Sequence, residues 1–177
     1  KDVIASVDWL VKDKGFSVQR IGLYGDSMGA ATAAIAFGID NRIQSLVLDN
    51  GFLDLYIIVK EELEREGYPS WLAKGAIWAA EIFGGERLLD LSPKLAFTNH
   101  ANRPIFAMHG TADTRVLPYH TADMKTLGEQ NGANLITWFA ENAEHSDIKY
   151  MYSQEFSKRV VKFFSDSLEG ELKPIQK

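Results

Sequence analysis

Arg20-Ile21-Gly22-Leu23-Tyr24-Gly25-Asp26-Ser27-Met28-Gly29-Ala30-Ala31-Thr32-Ala33-Ala34 is the stretch that decides how this chain is read. It opens as a short apolar strand, passes through a turn of the form G-x-S-x-G, and continues as a helix of small residues. A serine in such a turn stands on a tight strand-to-helix bend, which holds its hydroxyl out above the end of a sheet. Gly25 and Gly29 are expected to keep side chains out of the place where strand and helix pass close together. Ala30, Ala33 and Ala34 keep the first helical turns slim for the same reason. Ser27 is therefore a candidate nucleophile; the alternative for a serine here is an ordinary helix N-cap.

Elements of alternating type extend on both sides of this turn. Before it, Val3, Ile4, Val7, Leu10 and Val11 recur at helical spacing within residues 1–14, and Gly15 is a natural stop. Val18 to Tyr24 reads as the first strand, apolar enough to be covered on both faces. The helix after the turn runs from Ser27 to Gly38. Ile43 to Leu48 is a second strand, closed by Asp49-Asn50-Gly51. Two helices follow, Leu53 to Glu66 and Ser70 to Phe83. The charged run from Lys60 to Glu66 reads as a solvated helical face with pairs one turn apart. Two helices exceed what a simple crossover needs, so residues 53–84 are a candidate cap insertion. Trp71 and Trp78 either line a pocket beneath it or serve plain packing, which is the favoured reading.

Ser92-Pro93 starts a turn before a third strand, Pro104 to Met108, which leads into His109-Gly110-Thr111-Ala112-Asp113. A helix from Pro118 to Gly128 and a fourth strand from Asn134 to Phe139 follow. The loop Ala140 to Asp147 precedes a last helix, Gln154 to Leu168, that points Phe156, Val160, Phe163 and Phe164 at the sheet. The tail from Glu169 is expected to fray. Strands alternating with helices predict an α/β fold with a parallel sheet and flanking helices. Residues 1–177 read as one domain.

Composition narrows the function. The chain has 177 residues, 46% hydrophobic and 24% charged, with a net charge of −5. With no basic cluster, nucleic acid and anionic membranes are poor partners. The absence of cysteine excludes disulfides, thiolate metal sites and cysteine nucleophiles. No apolar run is long enough to span a bilayer and no signal-peptide pattern is present, so a cytoplasmic location is expected. Scattered histidines predict no metal, and the glycines form neither a dinucleotide fingerprint nor a phosphate loop, so no cofactor is expected.

A serine hydroxyl needs a base within hydrogen-bond reach, and the base needs an acid to fix its tautomer. Ser27 follows the first strand, Asp113 the third and His145 the fourth. In a parallel sheet all three emerge at one edge. His145 sits in a polar loop directly after a strand and is the candidate base. His109 reads as structural, and His100 and His120 as surface residues. Asp113 is the candidate acid, with Asp49 as its rival. Asp147 is too near His145 in sequence to orient it, and the Asp26 side chain should point away from the base.

Gly25-Asp26-Ser27-Met28-Gly29, His109-Gly110-Thr111-Ala112-Asp113 and Glu144-His145 together resemble the α/β-hydrolase superfamily, in particular bacterial serine esterases and prolyl-oligopeptidase-like hydrolases. The resemblance covers nearly the whole chain. It implies that Ser27 is the nucleophile, Asp113 the acid and His145 the base, with the Met28 backbone N–H as one oxyanion-hole donor. Such proteins usually carry several more strands before this turn, including the loop that supplies the second donor. Here 26 residues precede Ser27, and the first is Lys1. The expectation is the C-terminal part of a larger hydrolase, held by a missing N-terminal segment or paired as a homo-oligomer.

The function expected is cleavage of carboxylic esters through an acyl-enzyme, with a small-molecule ester or acyl compound as substrate. The alternatives are a serine peptidase of the prolyl-oligopeptidase-like type and an inactive fragment that serves as a binding domain.

Overall fold

The computed structural model describes residues 1–85 and 87–168. The tail from Glu169 lies outside the described residues. Four parallel strands, β1 (Gly22–Asp26), β2 (Ser45–Asp49), β3 (Ile105–Gly110) and β4 (Leu135–Ala140), stand side by side in chain order. Asp26 pairs in register with Asp49, and His109 with Phe139, so the carboxyl ends of the strands share one edge.

Side-chain alternation along these strands builds two cores. Leu46, Leu48, Ile105 and Ala107 face one side, where they pack with Val7 of α1 (Asp2–Lys12), the alanines of α2 (Met28–Ile39) and Met124. Val47, Phe106 and Met108 face the other side, against Phe163. The first layer is completed by α5 (Leu95–Thr98) and α6 (Tyr119–Gln130), and the second is formed by α7 (Ile148–Met151) and α8 (Ser153–Ser167). As its spacing predicts, α8 turns Phe156, Val160, Phe163 and Phe164 inward. Buried on nearly all sides, α2 uses alanine where a larger residue would push the layers apart.

Several boundaries differ from the sequence reading. Residues Val18–Arg20 form a 3-10 turn, closed by bonds from Arg20 N–H to the Ser17 carbonyl and from Ile21 N–H to the Val18 carbonyl, so β1 starts at Gly22 rather than Val18. Pairing with β4 carries β3 on through His109 and Gly110. A further short helix, α7, stands between the loop bearing His145 and α8.

Between β2 and β3 lie α3 (Leu55–Arg65), capped by the Asp54 carboxylate, and α4 (Ala73–Gly84). The packing role expected of Trp71 and Trp78 is corrected: they are 76% and 65% exposed, while α4 buries Ala73 and Ile77. His100 and His120 are also corrected, since both are buried. Their ring nitrogens meet the Asn131 carbonyl at 3.1 Å and Glu61 Oε2 at 2.8 Å, respectively. Among the described residues, no helix is long and apolar enough to cross a membrane, and no group of three or more His, Asp or Glu is placed to hold a metal.

Candidate active site

Ser27 sits where β1 becomes α2, with φ 57° and ψ −119°, a backbone state that side-chain-bearing residues rarely adopt. Its N–H donates to the Asp49 carbonyl at 2.8 Å, which pins the bend to the end of the neighbouring strand. Gly25 makes the bend geometrically feasible: a Cβ there would press on the Gly29 carbonyl and lie 2.7 Å from Ala30 Cα. The same expectation for Gly29 is corrected, because a Cβ at Gly29 would meet open space. Met28 is the first helical residue, so its N–H belongs to the unpaired amides that a helix presents at its N-terminus.

Three loops converge over this bend. Ser27 Oγ lies 3.0 Å from His145 Nε2, and His145 Nδ1 lies 2.7 Å from Asp113 Oδ2. Asp113 is buried and its oxygens are well supplied with donors. Oδ1 takes the N–H groups of Arg115 and Val116, both at 2.9 Å. Oδ2 takes His145 and the Asn50 amide, the latter at 2.9 Å. Burial on its own would raise the Asp113 pKa, but His109, His145 and the Val116 N–H outweigh it and hold the carboxyl well below the usual range. An ionised Asp113 accepts only, so the proton of the neutral imidazole sits on Nδ1. The Nε2 lone pair is thereby left facing the Ser27 hydroxyl.

His109 is structural, as its neighbours indicated. Its Nε2 is 2.8 Å from the Val116 carbonyl and 3.3 Å from Asp113 Oδ2, so its N–H lies between two acceptors. Its Nδ1 is 2.8 Å from Thr121 Oγ1, whose hydroxyl donates to it. Asp49, the rival acid, does not reach His145. It accepts from the Tyr24 hydroxyl at 2.7 Å, and burial pushes its pKa up to about 6 against the opposing effect of that bond. As expected, Asp26 turns away from the imidazole: it meets Ser146 Oγ and Lys149 Nζ, each at 2.7 Å.

Asn50, Tyr24, Ser146 and Lys149 are the participants that reading the sequence missed. Asn50 carried a usable signal. It stands at the carboxyl end of a strand, where α/β sites gather, and it adopts φ 47°, a conformation asparagine tolerates better than most residues. Gly110 brings the Asp113 and His145 loops together, since a Cβ there would press on the Ala143 carbonyl and lie 2.8 Å from that of Glu144.

A family model described as the prolyl oligopeptidase family matches residues 1–171. Over 172 residues the chain is 27% identical to the uncharacterized protein YqkD of Bacillus subtilis, covering 95% of this chain and 55% of that one. The fold is similar to that of the Pyrococcus furiosus esterase Pf2001, with a TM-score of 0.72 at 23% identity, over 94% of this chain and 61% of the esterase. It is also similar to the acylaminoacyl peptidase of Pyrococcus horikoshii, with a TM-score of 0.71 at 15% identity, over 99% of this chain and 28% of the peptidase. The chain thus spans about half the length of the curated relative.

Proposed function

The chain belongs to the prolyl oligopeptidase family, within the α/β-hydrolase superfamily, and on that premise we propose that it is a serine hydrolase that cleaves carboxylic esters through an acyl-enzyme. The observation that carries this reading is the unbroken line from Ser27 Oγ through the His145 imidazole to Asp113 Oδ2. His145 Nε2 takes the hydroxyl proton as Ser27 Oγ attacks the ester carbonyl. Asp113 stabilises the imidazolium without taking its proton. The Met28 N–H donates to the developing oxyanion, a contribution typically worth about 100- to 1,000-fold in turnover. His145 then protonates the leaving alcohol, and water activated by the same nitrogen releases the acid and restores Ser27.

Apolar packing beside the site supports a hydrophobic acyl or alcohol group. Ala31, Phe52, Leu55, Ile58 and Val116 cluster between α2, α3 and the loop that carries Asp113. The helices of residues 53–84 act in this reading as a small cap. A second reading, hydrolysis of an acylated amino acid or peptide, is favoured by the family assignment and by the acylaminoacyl peptidase neighbour.

Labelling by a fluorophosphonate, mapped by mass spectrometry, tests the assignment. A single adduct on Ser27, lost in Ser27→Ala and sharply weakened in His145→Ala and Asp113→Asn, is the expected result. Ester turnover unchanged in Ser27→Ala would overturn it. Faster cleavage of an aminoacyl arylamide than of a p-nitrophenyl ester would select the second reading.

A further inference from the structure

We propose that Asp26 is a positioning residue for the base, acting through Ser146 and kept in place by Lys149. The proposal rests on the reading of Ser27 as nucleophile and His145 as base. Asp26 directly precedes Ser27, and Ser146 directly follows His145. The two loops are therefore joined by two adjacent rungs: Ser27 Oγ to His145 Nε2 at 3.0 Å, and Ser146 Oγ donating to Asp26 Oδ1 at 2.7 Å. Lys149 on α7 donates to the other oxygen, Asp26 Oδ2, at 2.7 Å. One carboxylate thus ties the bend that carries the nucleophile to both the base loop and the helix that follows it.

The backbone gives this tie something to do. Ser146 has φ 58°, a left-handed state that costs a residue with a side chain free energy and persists only where surrounding contacts enforce it. A hydrogen bond to an ionised acceptor is among the stronger contacts available for that purpose. The direction is also right. Tyr24 packs edge-on against Phe156 of α8, so Asp26, two residues further along β1, lies on the same side of the strand. Asp113 grips the imidazole directly, while Asp26 holds the chain segment next to it.

The charges around Asp26 make the role measurable. Facing it are the Lys149 ammonium, the raised carboxyl of Asp49 on β2 and the Tyr24 hydroxyl bound to Asp49. Asp26→Asn keeps an oxygen for Ser146 while removing the charge that Lys149 pairs with, and Lys149→Met frees one Asp26 oxygen while leaving the Ser146 rung in place.

Five variants of the full chain test the proposal, with folding of each checked by circular dichroism. Ser146→Gly removes the hydroxyl while relieving the backbone, and Ser146→Ala removes it without relief. Both are expected to lower kcat about tenfold with KM within threefold, taking one charge-assisted hydrogen bond as the loss. Asp26→Asn, which keeps an acceptor for Ser146, is expected to fall less than Asp26→Ala. Lys149→Met, which keeps the Ser146 rung, is also expected to fall less than Asp26→Ala, with the loss again in kcat rather than KM. Wild-type kcat in Ser146→Gly, or Asp26→Asn falling as far as Asp26→Ala, overturns the proposal. Fluorophosphonate labelling of the wild-type chain keeps the two readings apart: a folded wild type that does not label at Ser27 sinks the hydrolase reading and the proposal with it, whereas a labelled wild type with unchanged kcat in Ser146→Gly sinks only the tie.

Discussion

Asn50 and Asp113, sixty-three residues apart in sequence, meet through one buried hydrogen bond, with the Asn50 amide donating to Asp113 Oδ2 at 2.9 Å. The same oxygen takes the His145 N–H, so Asn50 fixes which way the carboxylate faces the imidazole. Asn50 also reaches the Glu144 carbonyl at 3.4 Å, beside His145 in the chain. Asn50→Gly keeps the positive φ available and deletes the donor. It should lower kcat about ten- to hundred-fold, the value of a hydrogen bond to a charged group at roughly 1.5–3 kcal/mol. Steady-state kinetics with KM reported separately checks this. Turnover within twofold of wild type would show that the backbone N–H groups of Arg115 and Val116 suffice to hold Asp113.

Gly25 and Gly29 flank Ser27 symmetrically in sequence but not in space. Gly25→Ala would drive a methyl into the backbone of α2 and should destabilise the fold by more than about 3 kcal/mol or prevent folding. Gly29→Ala, with open space at that position, should be neutral or gain up to about 1 kcal/mol from helix propensity. Urea midpoints of the two variants decide between them.

Two buried carboxyls should give opposite pH dependences of stability. Asp113 is depressed in the fold, so its contribution is present above the unfolded value near about 3.9 and is lost as pH falls through the lower folded value. Asp49 is raised to about 6, so the folded chain holds its proton longer than the unfolded chain does. Stability should therefore decline as pH rises from about 4 to about 6 because of Asp49. In urea titrations across pH 3–8, the advantage of wild type over Asp113→Asn should shrink below about pH 4, while Asp49→Asn should gain on wild type as pH rises through about 6.

Trp71 and Trp78 should carry little of the stability. Trp71→Ser and Trp78→Ser are expected to stay within about 0.5 kcal/mol of wild type, as is usual for solvent-facing positions. Ile77→Ala, one residue before Trp78 but buried, should cost about 2–4 kcal/mol. Equilibrium unfolding of the three variants is the measurement, and a loss at Trp78 equal to that at Ile77 would contradict the observed exposure.

The parallel α/β fold, the bend at Ser27 and the placing of Asp113 and His145 at one sheet edge were all readable from the chain. Each depends on short-range sterics: the small residues around Ser27, the apolar runs of the strands, and the rule that loops after parallel strands leave on one side. The sequence marked His109 as structural but could not decide what Asp49, His100 and His120 do. His109 and His120 both follow from contacts made after the layers close, to Thr121 and Val116 in one case and to Glu61 in the other. Likewise Asn50, Ser146 and Lys149 acquire their places only when β2, the His145 loop and α7 are brought against β1 and the Asp113 loop. Local backbone geometry is set by residues a few positions apart, so the sequence by itself determined the bend and the order of elements. Hydrogen-bond partners 25 to 123 residues apart, such as Tyr24 with Asp49 and Asp26 with Lys149, were decided only by tertiary structure, because strand register and loop packing bring those atoms within reach.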